Sequence, residues 1–189
     1  TKPLLHMWSL AVEEQFYILF PVYLYLASRS FKNKVGIATL AILLASLLYS
    51  IVIVYTAPAD AYYSTPARAW ELMVGSVLAI YPRGRSLTPR MANFLTTIGL
   101  SAIIYSILFF TKETLFPGPM ALFPVIGSAL IIFAGESKKN FVGTILAANI
   151  FRYPGLISYS LYLWHWPVLV LYKMYAVGPV SDIEIAILI

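Results

Sequence analysis

Long apolar runs, each closed by a short cluster of turn-forming or charged residues, fall at about 8–28, 35–55, 66–81, 93–110, 119–135, 154–175 and 183–189. A helix rises ~1.5 Å per residue, so about twenty such residues match the ~30 Å hydrocarbon core of a bilayer. The pattern predicts an all-α polytopic integral membrane protein with six transmembrane helices and a truncated seventh. The third run is short. Pro66 suits the first position of its helix, Thr65 can cap it, and Pro82 follows its end. Residues 141–151 are apolar but too few to cross, which predicts a re-entrant or interfacial element. No internal repeat is visible.

Charge gives the runs a direction. Arg29, Lys32 and Lys34 follow the first run, Arg83, Arg85 and Arg90 the third, and Lys138, Lys139 and Arg152 the fifth. Nine of the thirteen basic residues therefore lie in alternate loops. The positive-inside rule assigns those loops to the cytoplasm. The intervening loops, 56–65 and 111–118, hold only Asp60, Lys112 and Glu113, so they and the N-terminus of the chain are expected on the extracytoplasmic side.

Composition excludes several classes. The chain is 60% hydrophobic and 11% charged, against the ~25% charged residues of a soluble domain. With no cysteine and only His6 and His165, neither a disulfide framework nor a metal site is expected. The net charge of +5 is explained by the topogenic loops rather than by nucleic acid. Thr1 is not a methionine, and the last residues lie within an apolar run, which predicts an internal piece of a longer protein without a signal peptide.

Three segments carry candidate chemistry. In Trp8–Ile18, Glu13 and Glu14 stand side by side ~8 Å along the first helix from Trp8. An acid inside a span costs roughly 2.5–3.5 kcal/mol and is a functional hypothesis by default. His6, Ser9, Glu13 and Tyr17 share one helical stripe, while Glu14 is turned ~100° away. Two roles stay open for the acids: hydrogen bonding between helices, or proton transfer in a hydrated cavity.

The second segment is Thr65–Gly75. Arg68 lies in the first turn, where the helix dipole disfavours a cation, and Glu71 follows by three. Either the two form a local ion pair, or Arg68 reaches a carboxylate or phosphate with its forked guanidinium. Gly75 would allow close approach of a neighbouring helix. In the third segment, Gly155–Pro167, residues Ser158, Tyr162, His165 and Leu169 share a stripe. Pro167 is expected to kink the helix beside His165. A histidine ~15 Å from either membrane face needs partners, either a tyrosine or a carbonyl in a structural role or a substrate.

Pro3–Tyr17, Pro66–Ser76 and Ile157–Pro167 resemble, in order and spacing, motifs of the membrane acyltransferase 3 family of bacterial O-antigen and peptidoglycan O-acetyltransferases. The resemblance implies that the chain is the C-terminal part of a bundle of about ten helices in the bacterial cytoplasmic (inner) membrane, with no separate soluble domain in 1–189. It implies transfer of an acyl group, usually acetyl, from cytoplasmic acetyl-CoA to a hydroxyl of an extracytoplasmic glycan such as lipopolysaccharide or another envelope polysaccharide. No bound cofactor is implied. The form of the motifs is most similar to the branch that often carries a C-terminal SGNH-like domain.

The family's proposed catalytic histidine precedes the matched region, so the chain needs N-terminal helices of the same domain and is expected to be inactive alone. Under this reading Glu13, Glu14 and Arg68 take supporting catalytic roles: an acid assists proton transfer, and Arg68 binds or polarises donor or acceptor. Ser9, Glu71, Ser158, Tyr162 and His165 line the substrate side. Two readings from other classes fit the composition: a proton-coupled secondary transporter relaying through Glu13, Glu14 and His165, and a non-catalytic membrane scaffold.

Overall fold

The computed structural model describes residues 5–31, 34–81, 87–111, 113–135 and 140–175, and every regular element among them is helical. A 3₁₀ turn at Leu5–Met7 leads into α1 (Trp8–Phe31), followed by α2 (Val35–Thr56), α3 (Pro58–Tyr63), α4 (Thr65–Ile80) and α5 (Pro89–Phe109). A second 3₁₀ turn, Pro119–Ala121, precedes α6 (Leu122–Gly135), and α7 (Phe141–Leu146) and α8 (Asn149–Tyr175) complete the order.

The all-α expectation holds, but the number of spans does not follow from the helices themselves. Among the described residues two, α2 and α5, are long and apolar enough to cross a bilayer. With 16 and 14 residues, α4 and α6 reach only ~24 and ~21 Å. The long α1 is diluted by Glu13, Glu14, Gln15 and its tyrosines, and α8 by Arg152, His165 and several tyrosines. The piece expected at 141–151 is two elements: α7 ends at Leu146, and α8 begins at Asn149, ahead of the expected start. The expected loop at 56–65 contains α3, with Pro58 in its first turn. The truncated seventh run, 183–189, lies outside the described residues.

The chain divides into two compact units, Val12–Ile145 and the pair of segments Thr1–Ala11 and Leu146–Ile189. In the larger unit, Leu43, Trp70, Met73 and Ala121 form the buried centre, with Phe16, Phe20 and Phe116 packed against it. Helices α5 and α6 meet through glycine. A Cβ on Gly99 would lie 2.5 Å from the Gly127 carbonyl oxygen, and one on Gly127 would lie 2.6 Å from the Gly99 oxygen. Only glycine lets two backbones approach this closely, the device by which membrane helices gain van der Waals contact. Gly75 does not serve that purpose, because a Cβ there would meet nothing within 4 Å.

Three buried hydroxyls in this unit bond back to their own helices, and that of Thr39 also meets the Tyr23 hydroxyl at 3.1 Å, whereas that of Ser50 has no partner among the described residues. Thr39 donates to the Val35 carbonyl (2.9 Å), Thr96 to Ala92 (2.8 Å) and Ser106 to Ala102 (2.9 Å). Ser46 instead works between helices. Its hydroxyl donates to the Pro66 carbonyl at 2.6 Å and accepts from the Trp70 amide at 3.0 Å, two main-chain groups one turn apart on α4. Thr65 does not cap α4. It is the first helical residue, and its hydroxyl donates to Gln15 Oε1 at 2.6 Å, tying the start of α4 to α1.

In the smaller unit, α8 runs as one helix through Pro154 and Pro167, where the sequence predicts a kink beside His165. Its first half is exposed throughout, and Leu169 and Val170 are buried.

Candidate functional site

Most candidate residues fall into three groups, two pairs in the larger unit and one cluster in the smaller. In the larger unit, Tyr17 donates its hydroxyl to Glu13 Oε1 one turn away on α1. The i, i+4 spacing of the stripe makes this contact. Glu14, on the other side, is exposed.

On α4, Arg68 grips both oxygens of Glu71: Nη2 donates to Oε2 at 3.0 Å and Nε to Oε1 at 3.4 Å. Side-chain exposures of 20% and 15% remove much of the solvent screening that weakens a surface pair. Of the two roles open to Arg68, the structure contains the local pair. Glu71 also lines a cavity of about 330 Å³ whose wall includes Val74, Phe116, Val125 and Ser128. A mostly apolar pocket with a paired carboxylate at its edge can hold a small group and orient its polar end.

In the smaller unit, Tyr162 on α8 donates its hydroxyl to the His6 carbonyl at 2.6 Å and also bonds the Ser9 hydroxyl. His165 places Nδ1 2.7 Å from the Tyr162 carbonyl and 3.3 Å from that of Leu161. If that nitrogen carries the proton, Nε2 is the free acceptor. The His6 ring packs against those of Tyr162 and His165, with centroids 5.3 Å away in each case, and lies 6.4 Å from Trp166. Both ring nitrogens of His6 are buried without a hydrogen-bond partner.

Ser9, Tyr162 and His165 are thus brought together, as are Arg68 and Glu71. Ser158 is part of none of these groups: it is exposed and returns its hydroxyl to the Gly155 carbonyl of its own helix at 2.8 Å. Three contributors escape the sequence reading. His6 lies on the predicted stripe, but its meeting with His165 requires the fold. Gln15 and Ser46 carry no motif signal, and their partners are 50 and 24 or fewer positions away.

The family described as "Acyltransferase domain" matches residues 1–187. The chain belongs to this acyltransferase family. It is 33% identical over 184 residues to protein YrhL of Bacillus subtilis (strain 168), covering 90% of this chain and 29% of that protein. Peptidoglycan O-acetyltransferase OatA of Listeria monocytogenes is 31% identical over 186 residues, with coverage of 90% and 29%. O-acetyltransferase OatA of Staphylococcus aureus is 29% identical over 188 residues, with coverage of 93% and 31%. The chain therefore spans less than a third of the length of these curated relatives. No solved structure matches it.

Proposed function

We propose that the protein containing this chain is a membrane O-acetyltransferase that moves an acetyl group from cytoplasmic acyl-CoA to a hydroxyl of an extracytoplasmic cell-wall glycan. The observation that carries the reading is the family match over residues 1–187, joined to relatives named for peptidoglycan O-acetylation. Those relatives favour peptidoglycan over lipopolysaccharide as the acceptor.

A bilayer location is supported by the large apolar side chains left bare on the long helices, such as Leu48 and Val52 on α2 and Ile107 and Leu108 on α5. Basic residues at 29–34, 83–90 and 138–152 support a cytoplasmic face there, and with it an extracytoplasmic start to α1. Under this reading residues 1–189 are the C-terminal part of the membrane domain, and an SGNH-like domain accompanies it in the full protein.

The three groups supply different services. Arg68, held by Glu71, presents positive charge beside the cavity and polarises the acyl carbonyl or neutralises the developing oxyanion. Glu13, bonded to Tyr17, is a proton acceptor within reach of a phenol. His6, Ser9, Tyr162 and His165 offer hydroxyl and imidazole groups suited to hydrogen-bonding a sugar hydroxyl.

The test is acetyl transfer from labelled acetyl-CoA to isolated glycan in membranes carrying the full protein or residues 1–189 alone. Transfer by the full protein and none by the piece is expected. Turnover by the piece, or proton flux without transfer by the full protein, overturns the reading.

A further inference from the structure

A second hollow in the larger unit opens between α3 and the segment that follows α5. It measures about 610 Å³, and its wall includes Tyr62, Tyr63, Phe110, Phe116, Thr111 and Glu113. Tyr62 and Tyr63 set their rings at right angles, 85° apart with centroids at 5.4 Å, and are 39% and 55% exposed. The opposite wall is a turn locked by its own side chains. The Thr111 amide donates to Thr114 Oγ1 at 2.9 Å, and the Glu113 amide to Thr111 Oγ1 at 3.4 Å. Phe116 lines this cleft and also the 330 Å³ cavity that contains Glu71, so the two spaces share a wall.

We propose that this cleft is a binding subsite for the sugar chain of the acceptor. The proposal rests on the functional reading above and adds to it the place where the glycan is held. A pyranose ring has an apolar C–H face and a rim of hydroxyls. Tyr62 and Tyr63 provide two aromatic planes for the first, and the Glu113 carboxylate with Thr111 and Thr114 provides acceptors and donors for the second. Lipid tails would use the rings but leave the polar rim unpaired, which costs free energy in a dry site. Both walls come from the two loops poor in basic residues, the side on which an extracytoplasmic acceptor arrives. The volume lies within the ~300–1,000 Å³ usual for small-ligand sites. Phe116, shared by the two walls, stands between glycan seated here and the cavity lined by Glu71.

The test uses the full protein and a soluble β-1,4-linked N-acetylglucosamine tetramer. Tyr62→Ala, Tyr63→Ala and Glu113→Gln are each expected to raise KM for the tetramer about tenfold, a ~1.4 kcal/mol loss, with little change in kcat or in KM for the monosaccharide. Tyr62→Phe, which keeps the ring, should stay near wild type and controls for folding. An unchanged tetramer KM in all three variants overturns the subsite. Should the wild type transfer acetyl to no saccharide, tetramer binding measured by calorimetry decides separately. Binding that Tyr63→Ala weakens supports the cleft even as the transfer reading falls. No binding, or displacement of bound tetramer by short-chain lipid alone with equal effect on every variant, overturns the cleft.

Discussion

The imidazoles of His6 and His165 meet edge to face, 73° apart with centroids at 5.3 Å, although they come from the two ends of the described chain. The contact exists because Tyr162, one turn before His165, is bonded through its hydroxyl to the His6 main chain. One histidine has a carbonyl for its Nδ1, and the other has two buried nitrogens and no partner. A buried polar atom left unpaired costs about 1–3 kcal/mol, so these two nitrogens do not hold the fold together, whatever the ring's packing contributes.

His6→Phe therefore separates function from folding. The ring is kept and the two orphan nitrogens are removed, so the melting temperature in detergent should hold or rise. Acetyl transfer by the full protein should fall at least tenfold if those nitrogens serve a substrate hydroxyl. A lowered melting temperature with normal transfer would assign His6 a structural role.

The Arg68–Glu71 pair yields a charge-swap experiment. Arg68→Ala or Glu71→Ala breaks a largely buried pair, and should lower stability by about 1–3 kcal/mol, between the values for exposed and fully buried pairs. Exchanging the two residues restores a pair at the same i, i+3 spacing. Stability should largely return in the double variant, measured by unfolding in detergent. Transfer should not return, because the cation has moved one turn along α4 relative to the cavity. Recovery of both would reduce the pair to a structural tie.

Ser46→Ala removes a hydroxyl that serves two main-chain groups of α4 at once. About 1 kcal/mol of stability should go with it, since each net hydrogen bond contributes ~0.5–1.5 kcal/mol. Ser46→Thr keeps the hydroxyl and should lose less. Equal melting temperatures for wild type and Ser46→Ala would show that the helix closes its own bond instead.

Much of this was legible in the sequence, and the limits have physical causes. Apolar runs located all the long helices, because burial in lipid or protein demands the same side chains. For the same reason they do not by themselves fix the number of spans: the apolar run 119–135 yields a 14-residue α6. Short-range pairs, Tyr17 with Glu13 and Arg68 with Glu71, followed from helical spacing alone. Long-range ones did not. Nothing local marks Ser46 as the partner of Trp70, or Gln15 as that of Thr65. Family motifs grouped Ser158 with Tyr162, yet Ser158 lies exposed on α8 and is bonded to its own turn. A shared stripe runs the length of the helix, and the contacts with His6 and Ser9 are made one turn further on, at Tyr162.

Glycine was the least legible residue. Gly75 sits within a motif and Gly99 and Gly127 do not, yet the close backbone approach belongs to the latter pair. Gly99→Ala and Gly127→Ala each force a Cβ against a carbonyl oxygen of the neighbouring helix, so α5 and α6 must separate. The expected loss is about 1–3 kcal/mol per substitution, and larger side chains should abolish accumulation of folded protein in the membrane. Gly75→Ala has open space and gains helix propensity, so it should stabilise by up to ~1 kcal/mol. Thermal unfolding of the three variants in one detergent checks the order. A Gly75→Ala protein weaker than Gly99→Ala would mean that α4 carries a closer contact than α5 and α6 do.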